Sequence, residues 1–468
     1  MAENRKRSGE EVTEKGKEII RDTSVLTSSK KWHELAGKGV TSLVIDDNEN
    51  NLDEIPHQLC SLSTLRSFTL TWSKVKAIPD VVLKMDLREF CLHKCRLRDV
   101  NNIHCLRNLV KLELVDDGLR SIPNEIGELS GLINLDLTGN HLKSLPLGLG
   151  KLEKLKMLKV SGNDLAEIPA SIGNMRALDS LDFSHNHITA IPEAIGRLRY
   201  LITLRISRNQ IRTLPRSFER LERLQYLFLG HNHFAEVPSL LTHLHNLKTL
   251  NMDSNKVRAM SAPIESLTAL LLDQNELEEL PQAVFQCDRL EKLSVKFNRL
   301  AAIPAQIARL DRLRQLYISG NQFTRLPDDI CTLTNLRHLV LRESKIEELP
   351  TNFDMLRRLN VIDVDGASLD GRYVYALNKE GIQGLMEQVV IRRNLVTDKD
   401  EGESELHYES DRGSSIFDSE DDPASEDEER VDEASASGSV SLAEGSGYRV
   451  NGSKSRRESM FPPRDRRS

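Results

Sequence analysis

Aromatic side chains make up only 4% of this 468-residue chain, so its 39% hydrophobic content rests on aliphatic residues, leucine above all. That bias points to helices or a repeat architecture. No run approaches the ~18 consecutive apolar residues of a membrane-spanning helix. The opening "MAENRKRSGEEVTEKGKEII" carries charges where an export signal needs an apolar stretch. Ala2 and the final "RDRRS" match neither a myristoylation nor a prenylation signal. Together these absences lead us to expect a cytoplasmic protein, with the nucleus as the alternative.

Charge of one sign is also missing from most of the chain. The formal net charge is −7, but Asp398 to Glu433 holds 17 acidic against 3 basic residues, which is −14 by itself. The final twenty residues carry 7 basic against 2 acidic, or +5, and Lys38 to Val396 is close to neutral. Electrostatic steering therefore belongs to the C-terminal segment.

What is present is one sentence said many times. "LINLDLTGNHLKSLPLGLGKLEK" from Leu132 is followed at once by "LKMLKVSGNDLAEIPASIGNMRA" from Leu155. The unit reads L-x-x-L-x-L-x-x-N-x-L-x-x-[IL]-P-x-x-[IL]-x-x-L-x-x, a leucine-rich-repeat period. Its asparagine position runs from Asn48 through Ser73, Cys95 and Asp117, then through nine asparagines from Asn140 to Asn321, and on to Ser344 and Ala367, making fifteen units. The L-x-L alternation of Leu135 and Leu137 predicts a short strand with one buried face. A single unit has no partner for its leucines, so neighbouring strands must pair into one parallel sheet. The asparagine amide should satisfy backbone groups buried between turns. Prolines such as Pro146, Pro169, Pro192 and Pro215 should end each strand, with a short helix or 3₁₀ turn returning on the outer face.

The expected organisation is an α/β solenoid: a curved parallel sheet on the concave face with short helices or 3₁₀ turns outside. Residues 1–27 read as a disordered N-terminal segment. Residues 28–39 read as a cap helix with Trp32 and Leu35 laid over the first unit, residues 40–372 as the solenoid, and residues 373–393 as a closing helix. Ile382, Leu385, Met386 and Val389 form that helix's apolar face. Residues 394–468 read as a disordered acidic, serine-rich tail with a basic end. One interior unit is short, Asn255 to Asn275, with Ser261 in place of proline, and we expect a local change of curvature there.

The stretches "LDLTGNHLKSLP", "LKVSGNDLAEIP" and "LRISRNQIRTLP" resemble the 23-residue, proline-bearing class of intracellular leucine-rich-repeat proteins, which includes the Soc/Sur-type Ras–Raf scaffold and the plant Ras-group repeat proteins. The resemblance covers Val40 to about Val390. It implies a non-enzymatic scaffold presenting its concave sheet to a signalling protein such as a Ras-type GTPase or a phosphatase. Two other readings stay open: a nuclear acidic-tail repeat protein binding histones, and a regulatory subunit of a protein phosphatase.

No catalytic constellation, cofactor motif or phosphate loop is found. "LTGN" and "ISGN" are the repeat's own turn. His185, His231, His233, His243 and His245 should fall on different faces, so no metal is assigned to them. The cysteines fit the repeat register without the paired caps of extracellular repeats, and read as reduced thiols. Cys91 alone is expected to project from the sheet surface as a candidate reactive thiol. Nucleic acid is disfavoured, because no basic stripe interleaved with aromatics is present. Partner-binding candidates come from concave columns that packing leaves unconstrained: Arg205, Arg208, Tyr226, Phe228, His231, Lys292, Lys296, Phe297, Tyr317 and Arg342. Ser419 and Ser425 precede acidic runs and Ser459 follows "RRE", so these three read as phosphorylation sites. The expected partner is a folded protein and the expected state a monomer.

Overall fold

The computed structural model describes residues 16–47, 52–364 and 367–400. A single parallel sheet of 16 strands runs the length of the array. Its first five strands are β1 (Lys17–Ile20), β2 (Ser42–Asp46), β3 (Ser67–Thr71), β4 (Glu89–His93) and β5 (Lys111–Val115). Three-residue strands follow: β6 (Asn134–Asp136), β7 (Met157–Lys159), β8 (Ser180–Asp182), β9 (Thr203–Arg205) and β10 (Tyr226–Phe228). Beyond them, β11 (Glu236–Val237) and β13 (Ala259–Met260) pair as a separate two-stranded sheet. The main sheet continues through β12 (Thr249–Asn251), β14 (Ala269–Leu271), β15 (Lys292–Ser294), β16 (Gln315–Tyr317), β17 (His338–Val340) and β18 (Val361–Asp363).

The three-residue strands from β6 to β17 bury a central leucine, and most leave both flanking positions accessible, as at Asn134–Leu135–Asp136, while β15 also buries Ser294. The buried rungs form a continuous core from Ile20 to Val389. Asparagines bind the turns together. Asn163 donates its amide to Leu137 O and Val160 O at 3.0 and 3.1 Å, and its Oδ1 accepts from Leu142 N at 3.0 Å. Asn186, Asn209 and Asn232 repeat that triple bond. A buried backbone group left unpaired costs about 1–3 kcal/mol, so this spine is what permits turns to stack dry.

Proline caps the 3₁₀ turns of the outer face, for example Pro169 before Ala170–Asn174 and Pro192 before Glu193–Arg197. These turns pack closely. A Cβ on Gly173 would lie 2.4 Å from Ala194 O, nearer than any side chain tolerates, so glycine is required there.

Helix α1 (Ser29–Gly37) covers the first units with Trp32 and Leu35 buried, and Trp32 Nε1 donates to Leu26 O at 2.8 Å. The chain joins the sheet earlier than the sequence reading, which left residues 1–27 without structure. Lys17–Ile20 pairs with β2, and a 3₁₀ turn covers Thr23–Thr27. "KEII" lacks the repeat signature and is ordered by the open edge of β2, a purely tertiary cause. At the other end, a closing helix (Gly371–Asp400) extends beyond the expected residues 373–393 and breaks at Gly381, whose φ of 67° is non-helical. Leu385 and Val389 are buried and Ile382 and Met386 half-buried on the expected face.

The shortened unit keeps the sheet in register, with Thr249 opposite Ala269 and Asn251 opposite Leu271. Asn275 still accepts from Val257 N at 2.9 Å and donates to Met252 O at 3.0 Å. What it gives up is the outer-face 3₁₀ turn, so the two halves of the array share one unbroken sheet.

Candidate functional site

From Ser73 to Ser344, the residue just before each spine position adopts a left-handed backbone. Glycine supplies it at Gly139, Gly162 and Gly320, but elsewhere Trp72, Lys94, His185, Arg208, His231 and Phe297 take φ values of 53–59°. Each such side chain costs on the order of 1–2 kcal/mol in backbone strain. The turn of the repeat requires that backbone, and its side chain is free to vary, from Ser254 and Gln274 to Trp72 and Phe297. Phe297, 45% exposed, leans over Gly320, where a Cβ would meet its ring at 2.4 Å.

Along the strands, cross-strand register sets Arg205 beside Phe228 and Ser294 beside Tyr317. The Arg205 guanidinium lies over the Phe228 ring at 4.4 Å. Lys292 and Lys296 lie 5.3 and 5.8 Å from the Tyr317 ring. Tyr226 is exposed, as are Arg208, His231 and Arg342. Burial together with the Arg208 and His185 charges lowers the His231 pKa. Arg342 reaches Asp363 at 3.5 Å.

All ten sequence-derived residues are therefore accessible on the sheet side, but they form two clusters. One centres on Phe228 and the other on Tyr317, with β12, β14 and β15 between them, a span of about 19 Å at 4.8 Å per strand. The gap holds a carboxylate pair that the sequence reading missed. Asp253 accepts from Asn251 Nδ2 and Asp273 N, both at 2.8 Å, while Asp273 accepts from Ser294 Oγ and pairs with Lys296 Nζ at 3.0 Å. Burial, then the neighbouring Asp273 charge, raises the Asp253 pKa to about 6. An acidic centre flanked by cation-clamped aromatics suits a partner surface carrying both a basic and an apolar element.

Trp72 is a second omission. It is 43% exposed with Lys94 Nζ 3.7 Å from its ring, and its signal was its place immediately before Ser73. A third omission is the group Cys91, His93 and Glu113 on β4 and β5, whose ligand-type atoms all lie within 4.8 Å of one another. Here one expectation is corrected: Cys91 faces the concave side but is only 3% exposed, covered by its neighbours. Burial, then the Glu113 charge, pushes its thiol up to about 12, which removes it as a reactive thiolate. Glu113 is held down at about 2, chiefly by its hydrogen bond with His93. The five histidines considered as a group do not meet: His185 and His231 lie in the left-handed column, while His243 sits in a 3₁₀ turn of the outer face.

Cys60 and Cys105 are exposed and Cys95, Cys287 and Cys331 buried, all six cysteines being free thiols. Among the described residues no helix is long and apolar enough to cross a membrane. Ser419, Ser425 and Ser459 lie outside the described residues.

Comparison with known proteins agrees with this architecture. A family described as "Leucine-rich repeat region" matches residues 64–186 and 180–271, and one described as "Leucine rich repeat" matches residues 265–323. No curated protein sequence matches the chain. Among solved structures, a leucine-rich-repeat protein of Leptospira interrogans is 27% identical with a TM-score of 0.67, over 72% of this chain and 93% of that one. The plant peptide hormone receptor RGFR1 in complex with RGF2 is 25% identical with a TM-score of 0.57, over 75% of this chain and 62% of that one. An internalin of Listeria monocytogenes shares the fold at 21% identity and a TM-score of 0.55, over 73% of this chain and 92% of that one. Family matches that together span residues 64–323, on a sheet whose rungs and asparagine spine carry the repeat's chemistry, make this chain a leucine-rich-repeat protein.

Proposed function

We propose that the protein is a non-enzymatic interaction scaffold in intracellular signalling that grips a folded protein on its concave sheet between β9 and β17. One observation carries the reading: Phe228 and Tyr317 are accessible on a rigid sheet and each flanked by cations, and Phe297, at a left-handed position in a unit that lies between them, is exposed as well. Clamped aromatics lose little side-chain entropy on binding, and hot spots are enriched in Tyr and Arg. The plant receptor among the solved neighbours is in complex with a peptide hormone, which is consistent with protein or peptide ligands for this class of surface. The resemblance noted in the repeat consensus favours a Ras-type GTPase or a phosphatase as the partner.

The test is quantitative affinity purification of the full-length protein against a Phe228→Ala/Tyr317→Ala variant, followed by titration of the recovered partner with purified components. At about 2 kcal/mol or more, the pair's loss should weaken that partner at least ~30-fold. Leu147, 72% exposed on the outer face, provides a control: Leu147→Ser should leave the partner bound. Equal recovery with the folded double variant rejects the concave site. Core histones retained by both proteins would instead support the acidic-tail reading.

A further inference from the structure

Cys91 and His93 stand two residues apart on β4 and so face the same side of the sheet, and register sets Glu113 of β5 directly opposite Cys91. Their ligand-type atoms fall within 4.8 Å of one another, and His93 Nε2 is 3.0 Å from Glu113 Oε2. Tetrahedral zinc, with bonds of about 2.0–2.3 Å, separates its ligand atoms by about 3.3–3.6 Å, within reach of small side-chain rotations here. One sulfur, one imidazole nitrogen and one carboxylate oxygen are a donor set that oxygen-seeking magnesium and calcium do not select and zinc does. The floor is built: Cys91 is covered, while the half-buried His93 and Glu113 leave one side of the group open to the concave groove.

We propose that Cys91, His93 and Glu113 form a mononuclear zinc site whose fourth position is a water facing the concave groove. On binding, the Cys91 S–H proton leaves to solvent and the sulfur bonds the metal as thiolate. His93 binds through Nε2 with its proton on Nδ1, giving up its hydrogen bond to Glu113. Glu113 Oε2 turns to the metal while Oε1 keeps the Lys111 ammonium, 3.0 Å away, which orients the carboxylate from behind. The thiolate and carboxylate neutralise the dication, and the Lys111 ammonium is the one net charge left at the group. The site stands apart from the β9–β17 surface and does not depend on the proposed function.

The experiment uses the full-length chain, stripped by chelator and titrated with cobalt(II), then with zinc(II). The expected result is a single equivalent of cobalt with a thiolate-to-cobalt charge-transfer band and intense four-coordinate ligand-field bands, all displaced by zinc. Cys91→Ser should abolish the charge-transfer band. His93→Ala and Glu113→Gln should each weaken binding by about 100-fold or more. Cys60→Ser/Cys105→Ser, which removes the exposed thiols, should leave the spectrum unchanged. Since His93 is half-buried at the sheet surface, its variant keeps the test valid if Cys91→Ser misfolds by circular dichroism. Absence of a charge-transfer band in the wild type, its survival in folded Cys91→Ser, full affinity in folded His93→Ala, or its loss in the Cys60/Cys105 variant overturns the site and leaves a His93–Glu113–Lys111 ion pair alone.

Discussion

Replacing Asp117 by Asn should stabilise the protein, and more so at alkaline pH. Asp117 occupies a spine position where nine later units place asparagine, and it is 1% exposed. Its Oδ1 accepts from Cys95 N at 2.8 Å, but Oδ2 is buried without a hydrogen-bond partner. One unit along, Asn140 uses its amide to donate to Leu114 O and Leu137 O at 2.7 and 3.0 Å. An ionised carboxylate has no proton to give to such carbonyls. Burial, partly offset by the Cys95 N–H and His93 and reinforced by Asp116, accordingly raises the Asp117 pKa from 3.8 to about 7. A carboxyl whose folded pKa lies above its unfolded value binds more protons in the folded state. Stability therefore falls as pH rises from about 4 to about 7 and levels off beyond. Integrated between pH 5 and pH 8, the wild type should lose about 2.5 kcal/mol from this group, a loss that Asp117→Asn escapes. The restored amide bonds should add about 1 kcal/mol throughout. Urea denaturation of both proteins at pH 5, 6, 7 and 8, followed by circular dichroism, reads the difference directly. Parallel stability curves for the two proteins across that range would refute the claim that Asp117 titrates inside the spine.

Three further outcomes follow from the same contacts. Asn209→Ala removes the amide bonds to Phe183 O and Ile206 O and the acceptor for Ile188 N, and should cost about 3–5 kcal/mol in urea denaturation; a loss under about 1 kcal/mol would mean water replaces the spine. Gly173→Val drives a Cβ against Ala194 O and should lower the melting temperature by several degrees, whereas Gly37→Val, with open space around it, should act only through helix propensity. His231→Gly relieves a left-handed backbone at an exposed residue, so thermal stability should hold or rise by about 1 kcal/mol while partner affinity falls; a clear loss of stability would show that the side chain packs instead of binding.

The repeat was legible because everything that holds it is buried at a fixed chain interval. Leu135, Asn140 and Pro146 recur in the sequence since each turn must offer its neighbour the same rung, the same amide and the same strand stop. Trp32 and Leu35 over the first turns, and the sheet-side positions from Arg205 to Arg342, could be read for the same reason. Only the tertiary structure decided that Lys17–Ile20 completes the sheet, because an open strand edge, not local propensity, orders it. It alone shows Cys91 covered beside His93 and Glu113, Asp253 paired with Asp273, and Phe228 separated from Tyr317 by β12, β14 and β15. Those relations run sideways between residues one or more repeat units apart, on a face where packing imposes no periodic rule. The sequence by itself determined the buried, repeating half of each strand. What each exposed side chain touches was set by the register of strands in space.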